Sequence, residues 1–161
     1  MTQHWDWVVK LLDYPMYVVT TVGGGVRAGC LVGFATQASI DPPRWLVGIS
    51  DKNHTYRVAV DADGLAVHVL GASDGALAAL FGEQTGDDVD KFAQCRWHAG
   101  PDGVPILDDA AAWFSGPILS RDRVGDHIAH LIEVDDAEVL KSEGSLLTFA
   151  SVRDFRPGHE A

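Results

Sequence analysis

A chain of 161 residues, 47% of them hydrophobic and 22% charged, is long enough to bury one core and too rich in apolar side chains to stay disordered. Its formal net charge of −11 repels polyanions, and the 12 Lys and Arg residues are scattered rather than gathered into a basic block. Both features argue against nucleic acid as a partner.

In chain order, Trp5, Val8, Val9 and Leu12 recur at helical spacing and Pro15 closes the segment, so residues 3–13 are predicted to form an amphipathic helix. "MYVVTTV" is β-branched and aromatic and ends at Gly23-Gly24-Gly25, a strand entering a hairpin. A second strand is expected from near Arg27, through "GCLVGFATQAS" to the prolines of "IDPP", and a third at "RWLVGIS". The three in succession suggest an antiparallel meander. "HTYRVAVDAD" reads as a short helix, "GLAVHVLG" as a strand and "DGALAALFGE" as a helix. Residues 82–110 read as acidic surface loops. Strands are expected again at "AAWFSGPILS", "HIAHLIEVDDAEV" and "LLTFASV". Six or seven short strands with appended helices describe a mainly β antiparallel barrel in a single domain, with its core over residues 14–155 and a tail at 156–161.

Cys30 and Cys95 lack metal-binding or disulfide-framework spacing, and the seven histidines show no metal pair, so no metal is expected. The first 15 residues do not have the pattern of a signal peptide, and no apolar run reaches the roughly 20 residues of a membrane span. The expectation is a cytoplasmic protein without a membrane partner. His68 and His130 alternate with apolar neighbours and are expected in the core or at an interface. "VGDHIAH" reads as a turn leading into a strand, the alternative being that Asp126 orients or charges His127 where a ligand meets it. Ser50, Lys52, Asn53 and Thr55 precede a helix; they read equally as a plain N-cap or as hydroxyl, ammonium and amide groups converging on a phosphate.

The ordered pieces "TTVGGGVRAGCLVGFATQASIDPPRWLVGISDKNHTYRVAV", "LAVHVL", "KFAQCRWHAGPDGVPIL", "AAWFSGPI" and "GDH" together resemble the flavin reductase-like family with its FMN-binding split-barrel fold, over roughly residues 12–155. The resemblance implies an antiparallel split β-barrel with an N-terminal helix and short inserted helices. It also implies a homodimer that uses NADH or NADPH to reduce FMN, with FAD as the alternative flavin, and hands reduced flavin to a separate monooxygenase. It favours the phosphate reading of Ser50, Lys52, Asn53 and Thr55. Gly33, Phe34, Ala35, Thr36 and Gln37 would line the isoalloxazine, although Leu31, Gly33 and Phe34 are apolar or glycine where family members commonly carry Thr, Ser or Asn. Asp126 and His127 would lie beside the flavin and the nicotinamide dinucleotide as the catalytic pair. Phe149 and Arg153, on what resembles the family's closing strand, would border the site or simply close the barrel. Two alternatives stay open: a flavin- or haem-binding relative without reductase turnover, and an interaction domain that kept the fold and lost the cofactor.

Overall fold

The computed structural model describes residues 3–158. Positions 159–161 of the expected tail, with His159 among them, and residues 1 and 2 lie outside the described residues. Ten strands are described. β1 (Tyr17–Gly23) and β2 (Val26–Val32) form the glycine hairpin, in which Gly24 and Gly25 both take positive φ. β3 (Ala35–Ser39) and β4 (Arg44–Ser50) form a second hairpin. β5 (Ala62–Val69) follows, then a small hairpin of β6 (Trp97–Ala99) and β7 (Pro105–Leu107). β8 (Ala112–Arg123), β9 (His127–Glu133) and β10 (Asp136–Val139) complete the set. The helices are α1 (Gln3–Leu11), α2 (His54–Ala59), α3 (Gly75–Glu83) and α4 (Phe149–Val152).

The main sheet runs β2-β1-β5-β8-β9-β4-β3, with β10 also on β8, and every pairing in it is antiparallel. β8 makes the curl. Its first half pairs with β5 and its second with β9, and the change of partner falls between Pro117 and Ile118. A Cβ on Gly116 would stand 1.5 Å from the Glu133 carbonyl oxygen, so only glycine lets β9 end against β8 here. The sheet ends at β2 and β3, which do not pair, and this is the split in the barrel. The architecture is the split barrel that the sequence resemblance implies.

Inside the curl, Val19, Cys30, Val32, Val47, Ile49, Leu65, Val67 and Ile132 pack together. A second cluster, with Val18, Leu70, Phe81, Phe92 and Leu107, lies on the opposite face of β1, under α3. Coverage on both faces explains why β1 is buried at consecutive positions rather than at alternating ones. Its two buried hydroxyls are satisfied, Thr20 donating to the Pro105 carbonyl and Thr21 to that of Gly64. His68 is a core residue, as expected: Nδ1 donates to the Val18 carbonyl at 2.9 Å and Nε2 accepts from the Leu107 amide at 3.0 Å. Burial pushes its pKa down to about 4, so it works as a neutral bridge among β1, β5 and β7. His130 is likewise fully buried.

Four sequence expectations need correction. The first three strands do not form a meander, because β4 pairs with β3 and β9 and not with β2. "GCLVGFATQAS" is not one strand. It breaks at Gly33, where any Cβ would meet the Tyr14 ring at 2.5 Å, and Phe34 and Ala35 turn the chain towards β4. The acidic stretch 82–110 is not wholly irregular, since it holds the β6–β7 hairpin and a 3-10 turn at Lys91–Gln94. "LLTFASV" is not a closing strand. Asp13 accepts hydrogen bonds from the Thr148 hydroxyl and the Ala150 amide and so caps a helical turn, α4.

Candidate functional site

The split between β2 and β3 opens into a cavity of about 350 Å³. Its walls come from several separate segments, Tyr14 and Met16 before β1 and Lys91 of the 3-10 turn among them. The end of β2 supplies Leu31, Gly33 and Phe34; the end of β4 supplies Gly48, Ile49 and Ser50, with Asn53 just beyond. α3 supplies Phe81 and Gly82, the turn before β9 supplies Asp126 and His127, and the C-terminal segment supplies Phe149 and Phe155. The size and the mainly apolar lining with a few polar groups suit a small-molecule site.

Aromatic contacts set the shape of the walls. Tyr14 and Phe149 stack with ring centroids 5.0 Å apart at 13°, and the Phe149 amide donates to the Tyr14 carbonyl. Phe34 is 60% exposed and leans on the His127 ring at 4.9 Å. Room for Phe34 exists because Gly48 lies beneath it, where a Cβ would already meet the Phe34 Cβ at 3.4 Å.

Gly-Asp-His forms a turn and also pairs the carboxylate with the imidazole. Gly125 has φ +125°, which makes it a turn glycine, and the Asp51 amide donates to the Asp126 carbonyl at 3.0 Å. Arg123 reinforces the turn by donating to the Asp51 carboxylate at 2.8 Å and to the Gly125 carbonyl at 3.0 Å. His127 opens β9 opposite Ser50, and its Nδ1 lies 2.7 Å from Oδ1 of Asp126. The hydrogen bond to His127, followed by the charge of that ring, holds the Asp126 carboxyl below its ordinary pKa. With Nδ1 directed at the carboxylate, Nε2 is the ring nitrogen left to meet a ligand.

Of the sequence candidates, Gly33, Phe34, Ser50, Asn53, Asp126, His127 and Phe149 line this cavity. Ala35, Thr36, Gln37, Lys52, Thr55 and Arg153 do not. Thr36 and Gln37 lie exposed on β3, bonded to the carbonyls of Gln37 and Ser39. Lys52 is exposed, its amide resting on the Ser50 hydroxyl. Thr55 is buried behind the wall beside Cys30, whose thiol burial pushes above its ordinary pKa. The Thr55 amide donates to the Asn53 side chain, so Asn53 is the N-cap of α2. Arg153 lies over the Phe149 ring, 5.4 Å from its centroid.

Sequence reasoning did not single out Tyr14, Phe81, Phe155 or Lys91 as lining residues. The Lys91-Phe92 pair was visible as a motif, but a lysine following three aspartates in four residues reads as surface. Among the described residues no group of three or more His, Cys, Asp or Glu side chains could hold a metal ion. No described helix is long and apolar enough to cross a membrane.

Comparison with known proteins agrees with this fold. The family model described as flavin reductase like domain matches residues 9–158. The FMN reductase (NADH) RutF of Methylorubrum extorquens is 35% identical over 112 residues, covering 70% of this chain and 54% of that protein. The chain thus spans about half the length of that curated relative. Among solved structures, an FMN-binding protein from Thermus thermophilus with bound 1-cyclohex-2-enone superposes with a TM-score of 0.75 at 26% identity, covering 80% of this chain and 72% of that one. A flavin reductase domain protein from Arthrobacter sp. FB24 reaches a TM-score of 0.83 at 22% identity, over 98% and 94% of the two chains, a likeness of fold.

Proposed function

Because the chain belongs to the flavin reductase like domain family, we propose that the cavity at the barrel split binds FMN and that the protein reduces it with NADH. The observation that carries the reading is the cavity itself, which combines aromatic and glycine walls with polar side chains at the β4–α2 junction. A flavin needs both, a flat apolar slot for its ring and donors for its ribityl phosphate. Gly33 and Gly48 keep the slot narrow, and Ser50 and Asn53 offer a hydroxyl and an amide. The preference for FMN over FAD and for NADH over NADPH rests on the name of the Methylorubrum relative.

The bound flavin supplies the capacity to accept a hydride. The chain's own residues have the simpler task of holding two flat partners in contact and excluding water, which needs no protein nucleophile. Phe34 and His127 form one lip of the slot, and Asp126 fixes the orientation of the imidazole so that its Nε2 can meet the dinucleotide. Tyr14 and Phe149 form a second aromatic pair in the lining. We further read the protein as a homodimer. α1 has no buried residue, and Trp7 and Leu11 on it are 64% and 82% exposed, so a second copy would give that face a partner. Delivery of reduced FMN to a separate monooxygenase follows from the family resemblance alone.

Steady-state oxidation of NADH and NADPH, with FMN, FAD or no added flavin, tests the proposal. Rapid NADH oxidation that depends on FMN is expected. Failure to bind FMN at micromolar concentration would reject the reading, and a monomer by light scattering would reject the dimer.

A further inference from the structure

Two cavities adjoin where the loop after α3 touches α2. Asn53 and Thr85 line the cavity at the barrel split, and their chain neighbours His54 and Gly86 line a second cavity, of about 460 Å³. Lys91 borders both, so a single thickness of chain separates them. That partition is bolted shut. Nδ1 of His54 donates to one oxygen of the Asp87 carboxylate at 3.0 Å, and Arg57, one turn further along α2, donates to the other. The Arg57 bond is the main cause that holds the Asp87 carboxyl below its ordinary pKa, so the bolt carries its charge at neutral pH. The His54 ring lies tight on Gly86, where a Cβ would meet Cδ2 at 2.4 Å. The C-terminal segment braces the same loop, since a Cβ on Gly158 would stand 2.5 Å from the Thr85 nitrogen.

The second cavity is the larger of the two, so room exists beyond the β4–α2 junction and only passage into it is missing. Its border is also acidic. Asp87, Asp88 and Asp90 line it, and the cations beside them are engaged elsewhere. Arg27 lies over the Trp97 ring at 4.7 Å, Lys91 donates to the Gly29 and Phe81 carbonyls, and His54 is held by Asp87 itself. A ligand that ends at Asn53 meets neither obstacle. One that carries a further anionic group past Asn53 meets the bolt and then uncompensated carboxylates, and such repulsive elements are how a site discriminates between ligands that share one part. FMN ends at its phosphate, whereas FAD continues through a second phosphate into adenosine. Resting on the flavin reading above, we propose that the bolt of His54, Asp87 and Arg57 is the specificity determinant of this site. It closes the passage between the two cavities, and so admits FMN while rejecting FAD, whose adenylate would have to cross it.

Equilibrium dialysis against FMN and against FAD reads the two Kd values. Wild-type protein should bind FMN at least about tenfold more tightly than FAD. Asp87→Ala removes the bolt and one repelling charge together. It should lower the FAD Kd about tenfold and move the FMN Kd by less than about threefold. His54→Ala withdraws the ring from Gly86 and leaves the carboxylate, so a smaller fall in the FAD Kd, about threefold, is expected from it. A gain of affinity on deleting a side chain is not something that loss of structure produces, which separates this role from a purely structural one. An FAD Kd that does not fall in Asp87→Ala, or an equal change for the two flavins, would overturn the inference. Should Asp87→Ala fail to fold, His54→Ala decides by the same criterion. Wild-type protein that binds neither flavin overturns the flavin reading itself, whereas wild-type protein that binds FAD as tightly as FMN overturns this inference alone.

Discussion

The barrel interior and the rim of the cavity are held together in opposite ways. Inside, Val19, Val47, Leu65, Val67 and Ile132 are fully buried, and β4 pairs with β9 in unbroken register from Arg44–Glu133 to Ser50–His127. The rim has Gly33 outside any strand, an exposed Phe34 and a C-terminal segment with one helical turn. A few particular contacts hold it, notably the Asp13 carboxylate on Thr148 and Ala150 and the stack of Tyr14 on Phe149. An interior built from many similar contacts tolerates the loss of one, while a rim built from a few specific contacts is free to vary without unfolding the barrel. Stability and chemistry should therefore respond to different residues.

The harshest way to break that contrast is to attack the barrel where it has no slack. Gly116→Ala places a methyl group 1.5 Å from the Glu133 carbonyl, and neither strand can retreat without giving up ladder hydrogen bonds. Loss of the cooperative urea transition is expected. A variant with native-like unfolding would show that the curl at β8 is softer than the geometry requires.

A second prediction uses pH. His68 has a pKa of about 4 in the folded chain against an ordinary value of 6.5, so below pH 6.5 the unfolded chain binds the proton that the folded chain refuses. Stability contributed by the neutral ring is complete above about pH 6.5 and declines as the pH falls towards 4. The loss amounts to about 3 kcal/mol in all. Urea midpoints measured across this window should fall with decreasing pH, and His68→Gln should flatten the slope. A wild-type slope carried over unchanged into the variant would assign it to other groups.

How far the sequence could be read follows the same division. β1, β4, β5 and β9 were legible because burial writes itself into β-branched and apolar runs at strand spacing, and His68 because it alternates with such residues. The C-terminal turn was not legible. "LLTFASV" has strand composition, and the residue that makes Phe149–Val152 helical, Asp13, lies 137 positions from Ala150. The break at Gly33 was hidden for the same reason, since the ring that demands a glycine belongs to Tyr14. Lys91 follows a run of aspartates, and only the packing of α3 over β2 turns it inward. Gly-Asp-His was legible as a motif because its turn and its ion pair are made by neighbours in the chain.

The mildest perturbation sharpens the contrast most. His127 is half-buried, touches Phe34 and Asp126, and takes no part in either core cluster. If it orients the dinucleotide at the lip of the slot, His127→Ala should leave the urea midpoint and the FMN Kd nearly unchanged. The rate of flavin reduction should fall, or the KM for NADH rise, by about tenfold, which corresponds to one contact worth about 1.4 kcal/mol in the transition state. A histidine that merely opens a strand would give the reverse, a modest stability loss with normal turnover per folded molecule. Asp126→Asn keeps the size of the turn residue and its hydrogen-bonding oxygen while removing the charge, so the imidazole stays placed but loses its electrostatic partner. A smaller effect in the same direction is expected from it. Wild-type reduction kinetics in both variants would reduce Asp126 and His127 to parts of a turn, and would move the search for the dinucleotide's contacts to the aromatic pair of Tyr14 and Phe149.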